Sequence, residues 1–217
     1  EFLQDINTKQ VYLVYQPQHD RHGSIVGFEA LLRWKHRQFG FVSPAIVCGL
    51  AGESDHIKQI GKWAIDTAGR QIREWKNAGF RNLCVSVNLS PFQLQDPTLL
   101  DHVELMLNDN GLTAAEFCFE LTESQHVPDD EMSCETLEKL HERGIHLEMD
   151  DFGMGYSSMI YIRRFHFDTI KLDGSLTRDV LSDNNSRDII ASVVQLARAL
   201  DMRVIAEFVE SQEQKTL

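Results

Sequence analysis

Seven short β-like runs, separated by stretches with helical periodicity, constrain the 217-residue sequence more tightly than any other feature. The β-like runs are VYLVYQP, IVGFEALLRW, LCVSVNLS, FCFELTES, IHLEMDDFG, TIKLDGS and RVIAEFVE. Between them, QIGKWAIDTAGRQIREWKNAG, LLDHVELMLNDNG, DEMSCETLEKLHERG and SRDIIASVVQLARALDM carry apolar residues at helical spacing. Gly79, Gly111 and Gly144 close three of these runs where a helix stop belongs. Such alternation leaves two α/β architectures open, a parallel sheet or a (β/α) barrel. No low-complexity tract or proline-rich linker divides the chain, so residues 1–217 read as one domain.

Side-chain parity favours the barrel. Successive strand residues face opposite sides, and six runs carry one polar residue set between apolar ones: Phe28-Glu29-Ala30, Val87-Asn88-Leu89, Phe119-Glu120-Leu121, Met149-Asp150 (apolar on one side only), Ile170-Lys171-Leu172 and Ala206-Glu207-Phe208. If the apolar parity packs on helices, the polar parity points to a common interior, near the strand ends where barrels carry their chemistry. A lone acid of this kind is more often a strand-end residue capping the next helix. Six positions of one parity argue against independent capping. Four carboxylates buried together without cations would be prohibitive, so the arrangement predicts metal.

Composition narrows the partners. With 21 Lys+Arg against 33 Asp+Glu the formal charge is −12, which argues against duplex nucleic acid held on a broad basic surface. Cys48, Cys84, Cys118 and Cys134 form no CxxC pair, as expected of a reduced, cytoplasmic setting. The nine histidines lack zinc-site spacing. No apolar stretch approaches the ~20 residues of a membrane span, and no signal-peptide pattern is present. The opening EFLQDINTKQ, without a start Met, is expected to belong to a longer polypeptide whose other segments could anchor it to a membrane.

The ordered strings YQP, EALLRW (Glu29 to Trp34), VNLS (Val87 to Ser90), ELTES (Glu120 to Ser124), DDFGMGYSS (Asp150 to Ser158), IKLD (Ile170 to Asp173) and AEFVE (Ala206 to Glu210) resemble the EAL-domain family of bacterial cyclic di-GMP phosphodiesterases, from about Tyr15 onward. The resemblance implies a TIM-like barrel whose first strand, VYLVYQP, runs antiparallel to the others. Family members continue past ESQEQ (Glu210 to Gln214), so a last strand and helix are expected to be missing from this chain. The implied reaction is hydrolysis of cyclic di-GMP to linear pGpG, lowering a second messenger of motility and biofilm, with two Mg²⁺ or Mn²⁺ ions.

Carried over by position, Glu29, Asn88, Glu120 and Asp150 would hold the first ion, and Asp150 with Asp151 the second. Lys171 would touch a scissile phosphate oxygen or the attacking water, with Glu207 as base or metal-site partner and Glu210 as a second acid. Gln16, Leu32 and Arg33 would line the ligand site, Arg33 pairing with the other phosphate. Phe152, Gly153, Met154 and Gly155 belong to the family's regulatory loop, which Glu123 steadies and which lies near an expected homodimer interface. The residue types suit that chemistry. Carboxylate and amide oxygens favour Mg²⁺ or Mn²⁺ over Zn²⁺, and two such ions ~3.5–4 Å apart clamp an in-line displacement.

Some positions leave the family pattern. AIVCGLAGESDHI places Gly52 and Asp55 where Glu and Gly are common, and Met154 replaces a small residue or Thr. DGSL lacks the frequent Arg and Phe, so Gly174 and Phe208 swap flexibility and bulk relative to the pattern. His146 and Glu148 share parity with Asp150, placing Glu148 about 7 Å below it. Asp150 and Asp151 can serve one site only if the strand ends and the chain turns there, for which FGMG supplies two glycines. Rival readings are a catalytically silent EAL-type receptor and an enolase-like barrel with a lysine base. Silent members usually lack one of the acids, and all are present here.

Overall fold

A computed structural model describes residues 2–6, 8–51, 55–122, 130–153 and 158–216. All seven β-like runs form strands: β1 (Val11–His19), β2 (Ile25–His36), then β4 (Cys84–Asn88), β5 (Phe117–Thr122), β6 (His146–Phe152), β7 (Thr169–Leu172) and β8 (Arg203–Ala206). A short β3 (Gly40–Val42) folds back on the end of β2. The helices are α1 (Phe2–Asp5), α2 (Pro44–Ala51), α3 (Asp55–Asn77), α4 (Pro91–Leu94), α5 (Leu99–Asn110), α6 (Glu131–Glu142), α7 (Ser158–Arg164), α8 (Gly174–Asp179), α9 (Asn184–Ala199) and α10 (Gln212–Thr216). The four long periodic runs became α3, α5, α6 and α9. Gly111, at φ 63°, caps α5 in the left-handed conformation that its place in the sequence called for.

Strand order is β1-β2-β4-β5-β6-β7-β8, parallel except for the first pair and β3. The antiparallel start has a local cause. Only a tight turn joins β1 to β2, held by the Asp20 carboxylate, which accepts from the His22 and Ser24 N–H groups at 2.8 and 2.9 Å. A parallel pair would need a long crossover. Among the described residues no pairing joins β8 back to β1.

Parity decides what each face touches. Val85, Val87, Phe117, Phe119, Leu147, Met149, Ile170 and Leu172 point outward and are buried against Ile65 and Ile72 of α3, Val103 of α5, Leu140 of α6 and Val193 of α9. The opposite parity faces inward. From β2 to β8 are five strand steps, about 24 Å in a flat sheet, yet Glu29 on β2 and Glu207 just past β8 both lie 3.1 Å from one nitrogen, Lys171 Nζ. The sheet is therefore curled, as in a TIM-like barrel. No helix among the described residues is long and apolar enough to cross a membrane.

Helices α3 and α5 are also linked by charge, with His102 Nε2 3.0 Å from Asp66 Oδ1. Asp66 holds the His102 pKa above its usual 6.5 against the opposing effect of burial. A raised histidine pKa adds stability that is full below the unfolded value and lost as pH rises through the folded one. The unfolding temperature is expected to fall between about pH 6 and pH 8, and His102→Gln to flatten that slope. The effect should stay within ~1 kcal/mol, because the Asp66 side chain is 41% exposed and water screens the pair. Thermal melts of both proteins across this range check it.

Candidate active site

Lys171 sits at the centre of the inward face, its side chain only 1% exposed. Its Nζ donates to Glu120 Oε2 at 3.0 Å and to Glu29 Oε2 at 3.1 Å, and lies 3.1 Å from both Asp150 Oδ1 and Glu207 Oε1. Four carboxylates from β2, β5, β6 and the end of β8 thus converge on one ammonium from β7. Glu120 is fully buried and also accepts from the Ser86 hydroxyl on β4. Ser86 was missed by sequence reasoning, although it lies two residues before Asn88 and so shares its parity.

One ammonium facing four carboxylates leaves an excess of negative charge. Burial pushes the Glu120 carboxyl well above the usual range; Lys171 opposes this, and Glu29 and Asp150 add to it. Glu207 is raised for the same first reason, with Lys171 again opposing. Burial drives the Lys171 pKa down, but Glu120, Asp150, Glu29 and Glu207 outweigh it, so the ammonium stays charged.

The donor set fits a divalent cation. One oxygen each from Glu29, Glu120 and Asp150 lies within 4.8 Å of the others, and the buried Asp150 Oδ1 makes no hydrogen bond, its charged neighbour being the ion-paired Lys171. These are hard oxygen ligands, suited to Mg²⁺ or Mn²⁺. Asn88 stands at the end of β4, in register with Glu120 and exposed on the same inner face.

Asp151 joins this end of the barrel by a route different from the expected one. The strand does not end at Asp150; it continues with a bulge through Phe152 and ends just before Gly153. Met149 pairs with Ile170 and Phe152 with Leu172, so β6 carries one extra residue, and Asp151 takes φ 56°. Aspartate tolerates the left-handed conformation better than most residues. The carboxyl is half-buried, and burial, then Asp150 and Asp173, push its pKa up.

Other expectations divide. Gln16 pairs with Glu29 across the β1–β2 ribbon and is exposed. Arg33 shares the Glu29 face and lines a groove of about 550 Å³ with Tyr12, Val14, Phe41, Val42, Ser43 and Pro44. Leu32 does not line the site. It has the opposite parity and packs with Val11, Trp34, Val47, Ile57 and Ile60 behind the ribbon. Glu210 is not among the carboxylates on Lys171; it is exposed, and its N–H donates to Gln214 Oε1 at 2.7 Å. Phe152 is a strand residue in the hydrophobic core and not part of a loop, while Gly153 follows it at φ 106°. Glu148 points inward as expected, 4% exposed with Oε2 unpartnered, and burial raises its pKa. His146 faces Asp168 at 3.2 Å. Glu123, Met154, Gly155 and Gly52 lie outside the described residues.

Comparison with known proteins shows the family and the fold. The family model for the EAL domain matches residues 1–217. The bifunctional diguanylate cyclase/cyclic di-GMP phosphodiesterase MucR of Pseudomonas aeruginosa is 35% identical over 216 residues, 99% of this chain and 32% of MucR. The cyclic di-GMP phosphodiesterase PdeR of Escherichia coli is 34% identical over 206 residues, 95% of this chain and 31% of PdeR. The chain therefore spans about a third of these relatives' length. The solved PaMucR phosphodiesterase in complex with c-di-GMP superposes with a TM-score of 0.89 at 35% identity, covering 99% of this chain and 87% of that one.

Proposed function

The chain belongs to the EAL-domain family, and on that premise we propose that it hydrolyses one phosphodiester of cyclic di-GMP to linear pGpG, lowering a second messenger of motility and biofilm. The observation that carries this reading is the convergence of Glu29, Glu120, Asp150 and Glu207 on Lys171 at the inner face of the curled sheet. Glu29, Asn88, Glu120 and Asp150 would hold one Mg²⁺ or Mn²⁺, and Asp150 with Asp151 a second. Bound there, the cations supply Lewis acidity and lower the pKa of water.

The protein's own groups do the rest. Lys171 presents its ammonium to a phosphate oxygen, where a preorganised charge counts most as negative charge develops. Glu207 accepts one proton as the water oxygen forms its bond to phosphorus, and the ribose oxygen leaves as its bond to phosphorus breaks, taking a proton from solvent to become a hydroxyl. Its raised pKa makes it a stronger base than an ordinary carboxylate. Arg33 holds the second phosphate, with Gln16 beside Glu29 on the same ribbon, so the −12 chain meets its anionic ligand through local cations. A homodimer built around the segment after Asp151 belongs to the same reading.

The test is incubation with cyclic di-GMP and Mn²⁺ followed by chromatography. Appearance of pGpG, abolished by EDTA, is expected. Intact ligand after prolonged incubation would overturn hydrolysis, and ligand retained but uncleaved would identify a receptor instead.

A further inference from the structure

The strand ends that carry the reactive groups meet at the first turn of α8. Asp173, two residues after Lys171, caps this helix by accepting from Ser175 N–H at 2.8 Å, and its own N–H donates to the Phe152 carbonyl at 3.3 Å. The end of β6 is thereby tied to α8. From the other side comes Phe208, the residue after Glu207. Its ring lies so close to Gly174 that a Cβ there would fall 2.1 Å from Phe208 Cδ2. One turn along, the Arg178 guanidinium stacks 4.1 Å over the same ring. Gln214 adds a second tie, donating to the Thr177 carbonyl at 3.1 Å while accepting from Glu210 and Ser211 N–H.

Two features of this junction call for explanation. Phe208 has φ 52°, a conformation costly for an L side chain, although the residue is 50% exposed and so is not held there by full burial. Gly174 has no positive φ, so its backbone does not require glycine; only the neighbouring ring does. Each residue accounts for the other. The left-handed turn at Phe208 redirects the chain as it leaves β8, and the ring seated on Gly174 fixes that turn against the helix that follows Lys171.

We infer that Phe208 is a positioning residue, locked into Gly174 and Arg178 of α8, which holds Glu207 against Lys171. The inference rests on the phosphodiesterase reading for its kinetic consequence and on contact geometry for the rest. Small displacements of a reacting group lower turnover steeply while leaving ligand binding largely intact.

A double-mutant cycle on the full chain tests it, with two readouts: cyclic di-GMP cleavage in Mn²⁺, and the NMR resonance of the Lys171 side-chain ammonium. Gly174→Ala and Phe208→Gly are each expected to lower kcat about tenfold or more with KM within about twofold, and to shift the ammonium resonance. In the Phe208→Gly background, adding Gly174→Ala should lower kcat by less than about twofold, because the ring it collides with is gone. Phe208→Tyr keeps the ring and should restore both readouts. Multiplicative losses in the double variant, or wild-type kcat with an unmoved resonance in Phe208→Gly, overturn the inference. If the wild type cleaves nothing but the resonances follow the stated pattern, the phosphodiesterase reading fails and the positioning contact stands.

Discussion

Lys171→Met is expected to slow cyclic di-GMP cleavage by ~10³-fold and to destabilise the protein in EDTA by ~3–5 kcal/mol. Methionine keeps the stem's length and apolar packing, so what is lost is the charge. Without it, Glu29, Glu120, Asp150 and Glu207 face one another with no internal cation, three of them with side chains no more than 13% exposed. Carboxyls already raised, Glu120 and Glu207, should rise further. A raised carboxyl pKa gives stability that is full below the unfolded value and lost as pH climbs through the folded one, so the variant should weaken steadily from acid to neutral pH. Mn²⁺ should return more stability to the variant than to the wild type, since it supplies the missing positive charge. Urea unfolding at neutral pH with and without Mn²⁺ checks this. Equal stability of the two proteins in EDTA would refute it.

Glu120→Gln should do the reverse to stability and the same to rate. The amide oxygen still accepts from Lys171, and the amide NH2 turned toward Ser86 donates to its hydroxyl oxygen in place of the bond the carboxylate accepted, but a desolvated charge, repelled by Glu29 and Asp150, is removed. In EDTA the variant should unfold no more easily than the wild type, and more stably above pH 5 or so, where the wild-type acid must ionise. Cation affinity should drop by ~100-fold or more and cleavage by ~10³-fold, since one of three converging oxygens loses its charge. Calorimetric titration with Mn²⁺ and initial rates measure the two effects. Side chains 3.0 Å apart thus give opposite stability changes, which a general loss of folding could not produce.

Much of this arrangement was legible in the residues because period-2 alternation reports which way a strand side chain points. Glu29, Glu120, Asp150, Lys171 and Glu207 were placed on one face by parity alone, and they meet. The same rule, applied one step further, separates Leu31 from Leu32 and finds Ser86. Asp151 was beyond it, because a bulge depends on how β6 registers against β7 and not on either string alone. Glu210 follows the last strand, where alternation no longer governs direction. Strand β3, three residues long, is too short to show any period. The Gly174 and Phe208 departures looked like separate oddities in the string. They are one contact between elements 34 residues apart.

The β1–β2 ribbon gives the site a built-in ruler. Arg33 follows Glu29 by four residues on the same strand and the same face, a separation of about 13 Å at strand rise. With a cation held at Glu29, as proposed, a molecule with two anionic groups spread over roughly that span would engage both marks together. Under the proposed reading a mononucleotide would touch one mark and forfeit the other, and β2 would select for ligand length before any base is read.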